Sequence, residues 1–140
     1  MRRFLTAALV LFALAALFID TPAAEESTAR VVPINVRIRC NGEDVGEFSI
    51  NNQATRLSKA AGDTAMFGLL GGSDVDTVTV EPKQDVDWPF EGAPPSFGSR
   101  GNRGTGAIRS DIAPGSYGYN LIVTCGSAAD VIDPRMDIDP

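Results

Sequence analysis

Three observations predict an antiparallel β-sandwich. Short segments alternate apolar and polar side chains with a period of two, turn signals recur at close intervals, and almost nothing in the folded part sustains a helical period. Six to eight short strands in one all-β domain follow.

The chain opens differently. Arg2 and Arg3 precede an apolar run from Phe4 to Ile19, broken only by Thr6, and Asp20-Thr21-Pro22-Ala23-Ala24 follows. A charged start, a short apolar helix and a small-residue exit make a cleavable secretory signal over residues 1–24, with cleavage near Ala23 or Ala24. The run is shorter than the roughly 20 residues a membrane-spanning helix needs. Residues 25–140 then form a single domain, of a size that buries its own core without staples or metals. The expected location is secreted or periplasmic.

The first strand is Ile34 to Cys40, where Ile34, Val36, Ile38 and Cys40 alternate with Asn35, Arg37 and Arg39. Asn41-Gly42-Glu43-Asp44 turns the chain, and Val45 to Ile50 completes a hairpin. Asn52 is placed to cap a short helix running to Ala61 and ended by Gly62. Ala65 to Leu70 and Val75 to Glu81 are two further strands, the second rich in Val and Thr.

Gly92, Pro94, Pro95, Gly98, Gly101, Gly104 and Gly106 punctuate a long surface loop at about 91–107. Beyond Pro114-Gly115, the residues Tyr117, Tyr119, Leu121, Val123 and Cys125 share the inner face of the strongest strand. Asp133-Pro134 then turns the chain into Arg135 to Asp139, and a last hairpin closes the domain.

Cys40 and Cys125 are the only cysteines, and export carries them into an oxidising compartment, so a Cys40–Cys125 disulfide is expected. It either joins the two sheets or pins the ends of adjacent strands. A thiolate metal site is disfavoured because the chain contains no histidine.

The turn Pro114-Gly115-Ser116-Tyr117-Gly118-Tyr119 leading into an alternating strand, then Ile132-Asp133-Pro134-Arg135 and a final short strand, resembles the tail of small secreted bacterial proteins. These are of cupredoxin-like or immunoglobulin-like sandwich type. The resemblance covers roughly residues 111–139. In electron-transfer cupredoxins the closing loop supplies Cys, His and Met to copper. Cys125 and Met136 stand in that region here, but both histidines are missing, so the resemblance implies the scaffold without the metal.

Composition excludes several functions. The whole chain carries 12 basic and 18 acidic residues, a net charge of −6, and loss of the signal makes it −7. Such a chain repels nucleic acid. Without histidine, neither a Ser-His-Asp nor a Cys-His mechanism is available. The glycine-rich run Gly98 to Gly106 lacks the Gly-Lys-Ser/Thr ending of a phosphate loop, and no cofactor is expected.

Two features remain as candidate sites. Trp88, Phe90 and Phe97 gather beside Arg100 and Arg103, an aromatic and cationic segment suited to a protein, peptide or glycan partner. The competing reading has the aromatics plugging one end of the sandwich. The aspartate pairs Asp74/Asp76 and Asp85/Asp87 could share a Ca²⁺ ion if their loops meet, and are otherwise solvated turn residues. The sequence thus predicts an exported, non-enzymatic module that binds a partner through Trp88 to Arg109. The alternatives are a calcium-dependent module and a small carboxylate-based hydrolase.

Overall fold

Ile34, Val36 and Ile38 lie on one face of the first strand and are fully buried, while Arg37 and Arg39 on the other face reach solvent. The structure, a computed structural model, describes residues 28–71, 73–75, 77–98 and 101–140. The expected signal segment 1–24, Asp76 and Arg100 lie outside the described residues.

Ten strands are found among those residues. They are β1 (Val31–Asn41), β2 (Asp44–Ile50), β3 (Ala54–Ser58), β4 (Thr64–Leu69), β5 (Thr77–Pro82), β6 (Ser96–Gly98), β7 (Arg103–Gly104), β8 (Gly115–Cys125), β9 (Ala128–Ile132) and β10 (Arg135–Asp139). One sheet has the order β2-β1-β4-β7. The other runs β3-β10-β8-β5-β6, with β9 also paired to β8. Between them lies a core whose largest fully buried side chains include Tyr119, Phe67, Phe90, Ile34 and Leu121.

Most pairs are antiparallel, but β1 with β4 and β3 with β10 are parallel, so the sandwich is mixed rather than wholly antiparallel. The parallel β1–β4 pair arises because the chain leaves β1 and returns in β4 by way of β3, which lies in the opposite sheet. A tight hairpin cannot make such a pair; a crossover can.

The helix expected from Asn52 to Ala61 is instead β3 and a turn. Asn52 does accept a backbone hydrogen bond, from Ala54 N at 3.1 Å, but it caps the entry to a strand. Thr55 and Leu57 are fully buried on one side of β3 and Arg56 is exposed on the other, a period-two pattern secured by pairing with β10. Tertiary pairing outweighs a marginal helix of one or two turns.

The closing hairpin is longer than expected, and its turn lies elsewhere. Cys125 pairs with Ala128, Leu121 with Ile132, Gly118 with Arg135 and Gly115 with Ile138, one unbroken register along β8. The turn is Gly126-Ser127, where Gly126 takes φ 57°. Asp133-Pro134 does not reverse the chain: Pro134 is buried, and its carbonyl accepts from Tyr119 N at 3.1 Å, continuing the ladder.

Cys40 and Cys125 form a disulfide with Cα atoms 5.5 Å apart. Cys40 belongs to β1 and Cys125 to β8, so the bridge joins the two sheets.

Candidate binding site

The segment from Trp88 to Arg109 is a splayed hairpin rather than a long loop. At its base Arg109 N donates to Pro89 O at 2.9 Å and Glu91 N to Ala107 O at 2.8 Å, flanking a bridge between Phe90 and Ile108. The two arms then part. The outgoing arm becomes β6 and pairs with β5; the returning arm becomes β7 and pairs with β4. Each sheet therefore gains a short edge strand from one hairpin, which seals this side of the sandwich. Gly101 N donates to Gly98 O at 3.1 Å and closes the tip.

Several side chains fix this geometry. Arg109 donates from Nη1 to Trp88 O at 3.1 Å and from Nε to Asp111 Oδ1 at 3.0 Å. The guanidinium's hydrogen bonds hold the Asp111 carboxyl below the usual carboxylate range. On the returning arm, Thr105 exchanges bonds with Ala65 of β4, from Thr105 N to Ala65 O at 2.8 Å and from Ala65 N to Thr105 Oγ1 at 3.0 Å. Gly106 sits so tightly against the other arm that a Cβ there would stand 2.5 Å from Glu91 O.

The aromatics are anchors of this hairpin. Phe90 and Phe97 are 1% and 3% exposed, and neither offers contact area to a partner. Phe97 packs against Phe67 with ring centroids 5.5 Å apart, and Phe90 lies 5.2 Å from Trp88 in a tilted pair. Trp88 is half-buried, and its Nε1 is buried without a hydrogen-bond partner among the described residues. Burial of apolar rings on the splayed arms stabilises the segment more than their exposure would, which explains the departure from an aromatic recognition surface. Arg103 is exposed.

Asp74 does not meet the Asp85/Asp87 pair. Asp74 precedes β5 and Asp85 and Asp87 follow it, so the two positions are separated by the length of the strand, about 17 Å. Among the described residues, that separation puts Asp74 out of reach of a calcium ion held by Asp85 and Asp87. Asp74 works locally: its Oδ1 accepts from Cys40 N at 2.6 Å, while Ser73 Oγ accepts from Ile38 N at 3.2 Å. Together they hold the end of β1 where its register against β2 shifts between Arg39 and Cys40. Asp85 occupies a turn at φ 61° and is exposed, as is Asp87. Among the described residues no three His, Cys, Asp or Glu side chains are grouped to hold a metal ion. Cys125 is spent in the disulfide and Met136 is fully buried in the core.

A second feature is not visible in the sequence. Beside the disulfide lies an open cleft of about 480 Å³. Its floor is the outer face of β5 and β8, with Thr77, Thr79, Ile122 and Thr124; its rim includes Asp74 and the two cysteines. The alternation of β5 and β8 shows that these residues face outward, but only the fold shows that the β1–β2 and β8–β9 turns rise beside them. Hydroxyls and one carboxylate can bind a ligand there by hydrogen bonds.

No protein-family model and no curated protein matches the chain. Among solved structures it is similar to reduced rusticyanin, with 10% sequence identity and a TM-score of 0.35 over 84% of this chain and 87% of that one. At that level of likeness no property of rusticyanin passes to this chain.

Proposed function

We propose that the mature chain is an exported, non-enzymatic β-sandwich module that docks an acidic protein or peptide at the tip of the Trp88–Arg109 hairpin. One observation carries this reading. The hairpin is fixed at its base by Arg109 and along its arms by Phe90 and Phe97, while just past its tip the returning arm presents exposed Arg103 on a mature chain of net charge −7. A loop held by rigid elements is the usual carrier of a binding function, and a local positive tip on a negative body orients an acidic partner. The non-enzymatic reading rests on the sequence, whose lack of histidine removes the commonest general base. The scaffold is read as cupredoxin-like rather than immunoglobulin-like, supported by the parallel pairs that two antiparallel sheets would lack.

Export is tested by the intact mass of the protein recovered from outside the cytoplasm. A chain beginning near Ala24 or Glu25 is expected, and a full-length chain overturns it. Docking is tested with a photo-crosslinking residue placed at position 103 and, as a control, at the exposed position 56 on β3. One discrete adduct from 103 and none from 56 is expected; equal labelling, or none from 103, refutes the assignment.

A further inference from the structure

We propose that the cleft beside the disulfide binds a neutral carbohydrate unit. This site is separate from the Arg103 tip and stands whether or not that tip docks a partner.

The floor is built for hydrogen bonding to an uncharged ligand. Thr79 lies directly opposite Ile122, and Thr77 and Thr124 follow on the disulfide side of the Val78–Val123 pair. Neighbours across the strands stand about 5 Å apart and neighbours along a strand about 7 Å apart, so the three hydroxyls form a grid on the scale of one sugar ring. None of the three makes a side-chain hydrogen bond to another described residue, whereas Thr105 on β4's flank is engaged. A threonine hydroxyl both donates and accepts, which suits a sugar hydroxyl that does the same. The threonine methyls, Ile122 and the disulfide supply apolar atoms for the C–H face of the ring.

Charge narrows the class. Among the described residues no Lys or Arg lines the cleft, so none of them offers an anion a charged partner there. The single lining carboxylate among the described residues is Asp74, and it already has one oxygen on Cys40 N, which leaves one oxygen for a hydroxyl and too few described ligands for a cation. The volume falls in the range typical of small-molecule sites. Rigidity comes from beneath: Val78, Val80, Leu121 and Val123, on the inner face of the same two strands, are at most 2% exposed. A preorganised floor lowers the cost of binding.

Glycines keep the walls clear. Thr77 pairs with Gly98, which has no side chain to cover it, and a Cβ on Gly42 at the rim would meet nothing within 4 Å.

The test is an amide NMR titration of the oxidised mature chain with cellobiose, maltose and the disaccharide of N-acetylglucosamine. At least one probe is expected to give saturable shifts at Thr77, Thr79, Ile122 and Thr124 with a Kd of about 1 mM or tighter. Thr79→Val and Thr124→Val keep shape and strand preference while removing one hydroxyl each. Each is expected to weaken that binding by about fivefold, in line with loss of one hydrogen bond, with the melting temperature unchanged. Absence of saturable shifts with all three probes overturns the proposal, as does undiminished binding by both variants. Shifts confined to residues 101–104 also overturn it and bear only on the hairpin tip.

Discussion

The two ends of the sandwich are closed by different physics. At the end where β1 and β8 finish, a covalent bond between Cys40 and Cys125 ties the sheets, and the surface above it is left open as a cleft. At the other end no covalent tie exists among the described residues. There Phe90 and Trp88 pack as a plug, Arg109 grips Trp88 O, and Lys59 Nζ donates to both Ser110 O and Ile112 O at 2.7 Å. Buried Asp63 completes that end by holding Arg30 and Ser58. The difference teaches that a bridge can free neighbouring surface for other uses, because one bond replaces the many side chains that closure otherwise occupies.

The bridge should show the largest effect. It links residues 85 apart, for which loop-closure entropy corresponds to about 4–5 kcal/mol. Replacing both cysteines, C40A with C125A, is expected to lower unfolding stability by about 4 kcal/mol in a denaturant titration at constant m-value. In hydrogen exchange the amides of Asn41 and Thr124 should lose protection before those of Met136 and Ile138 in β10. A cost under about 1 kcal/mol would mean that packing, not the covalent tie, closes this end.

The plug should come next. Phe90→Ala removes a ring that is 1% exposed and is expected to cost about 3–4 kcal/mol through lost burial and the cavity left behind. Trp88 is the one tryptophan in the chain, so its emission reports this end alone. A red shift is expected as the indole loses Phe90, and an unshifted spectrum would show that Trp88 is held by something else.

How much of this is legible in the sequence depends on whether the signal is local. The alternation of Ile34 to Cys40 and of Tyr117 to Cys125 marks both long strands and the faces that bring the cysteines together, because a strand buried on one face writes its period into the sequence. β3 reads as a helix because Asn52 and Gly62 are equally good signals for a helix and for a strand with turns, and only the distant partner β10 decides. The hairpin of 88–109 is hidden because its arms pair with different sheets, so no short-range pattern marks them. The sequence leaves Phe90 and Phe97 open between a recognition surface and a plug, because glycine and proline density signals an irregular backbone, not the direction of a ring; the structure buries both. The cleft joins Asp74, Thr79 and Thr124, which are neighbours only once two turns and a crossover are in place.

Asp63 sharpens the contrast between the ends through pH. Its side chain is fully buried and accepts from Arg30 Nη2 at 2.6 Å, Arg30 N at 2.8 Å and Ser58 N at 2.9 Å. The Arg30 side-chain bond, aided by these backbone N–H groups, holds the carboxyl pKa at about 2 against an ordinary 3.8. The folded state therefore binds its proton less readily than the unfolded chain does. The stabilisation is complete above about pH 4 and is lost as pH falls toward 2, since protonation then favours the unfolded state. Arg30 is 64% exposed, so solvent screening reduces the contribution to on the order of 1 kcal/mol. Between pH 5 and pH 2 the amides of Ser58 and Thr64 should lose hydrogen-exchange protection while those of Leu121 and Val123, held by backbone pairing toward the disulfide end of β8, keep theirs. Asp63→Asn should show the weakened end already at neutral pH and little further change in this window. Equal loss at both ends in the parent chain would place the acid sensitivity outside the Asp63–Arg30 pair.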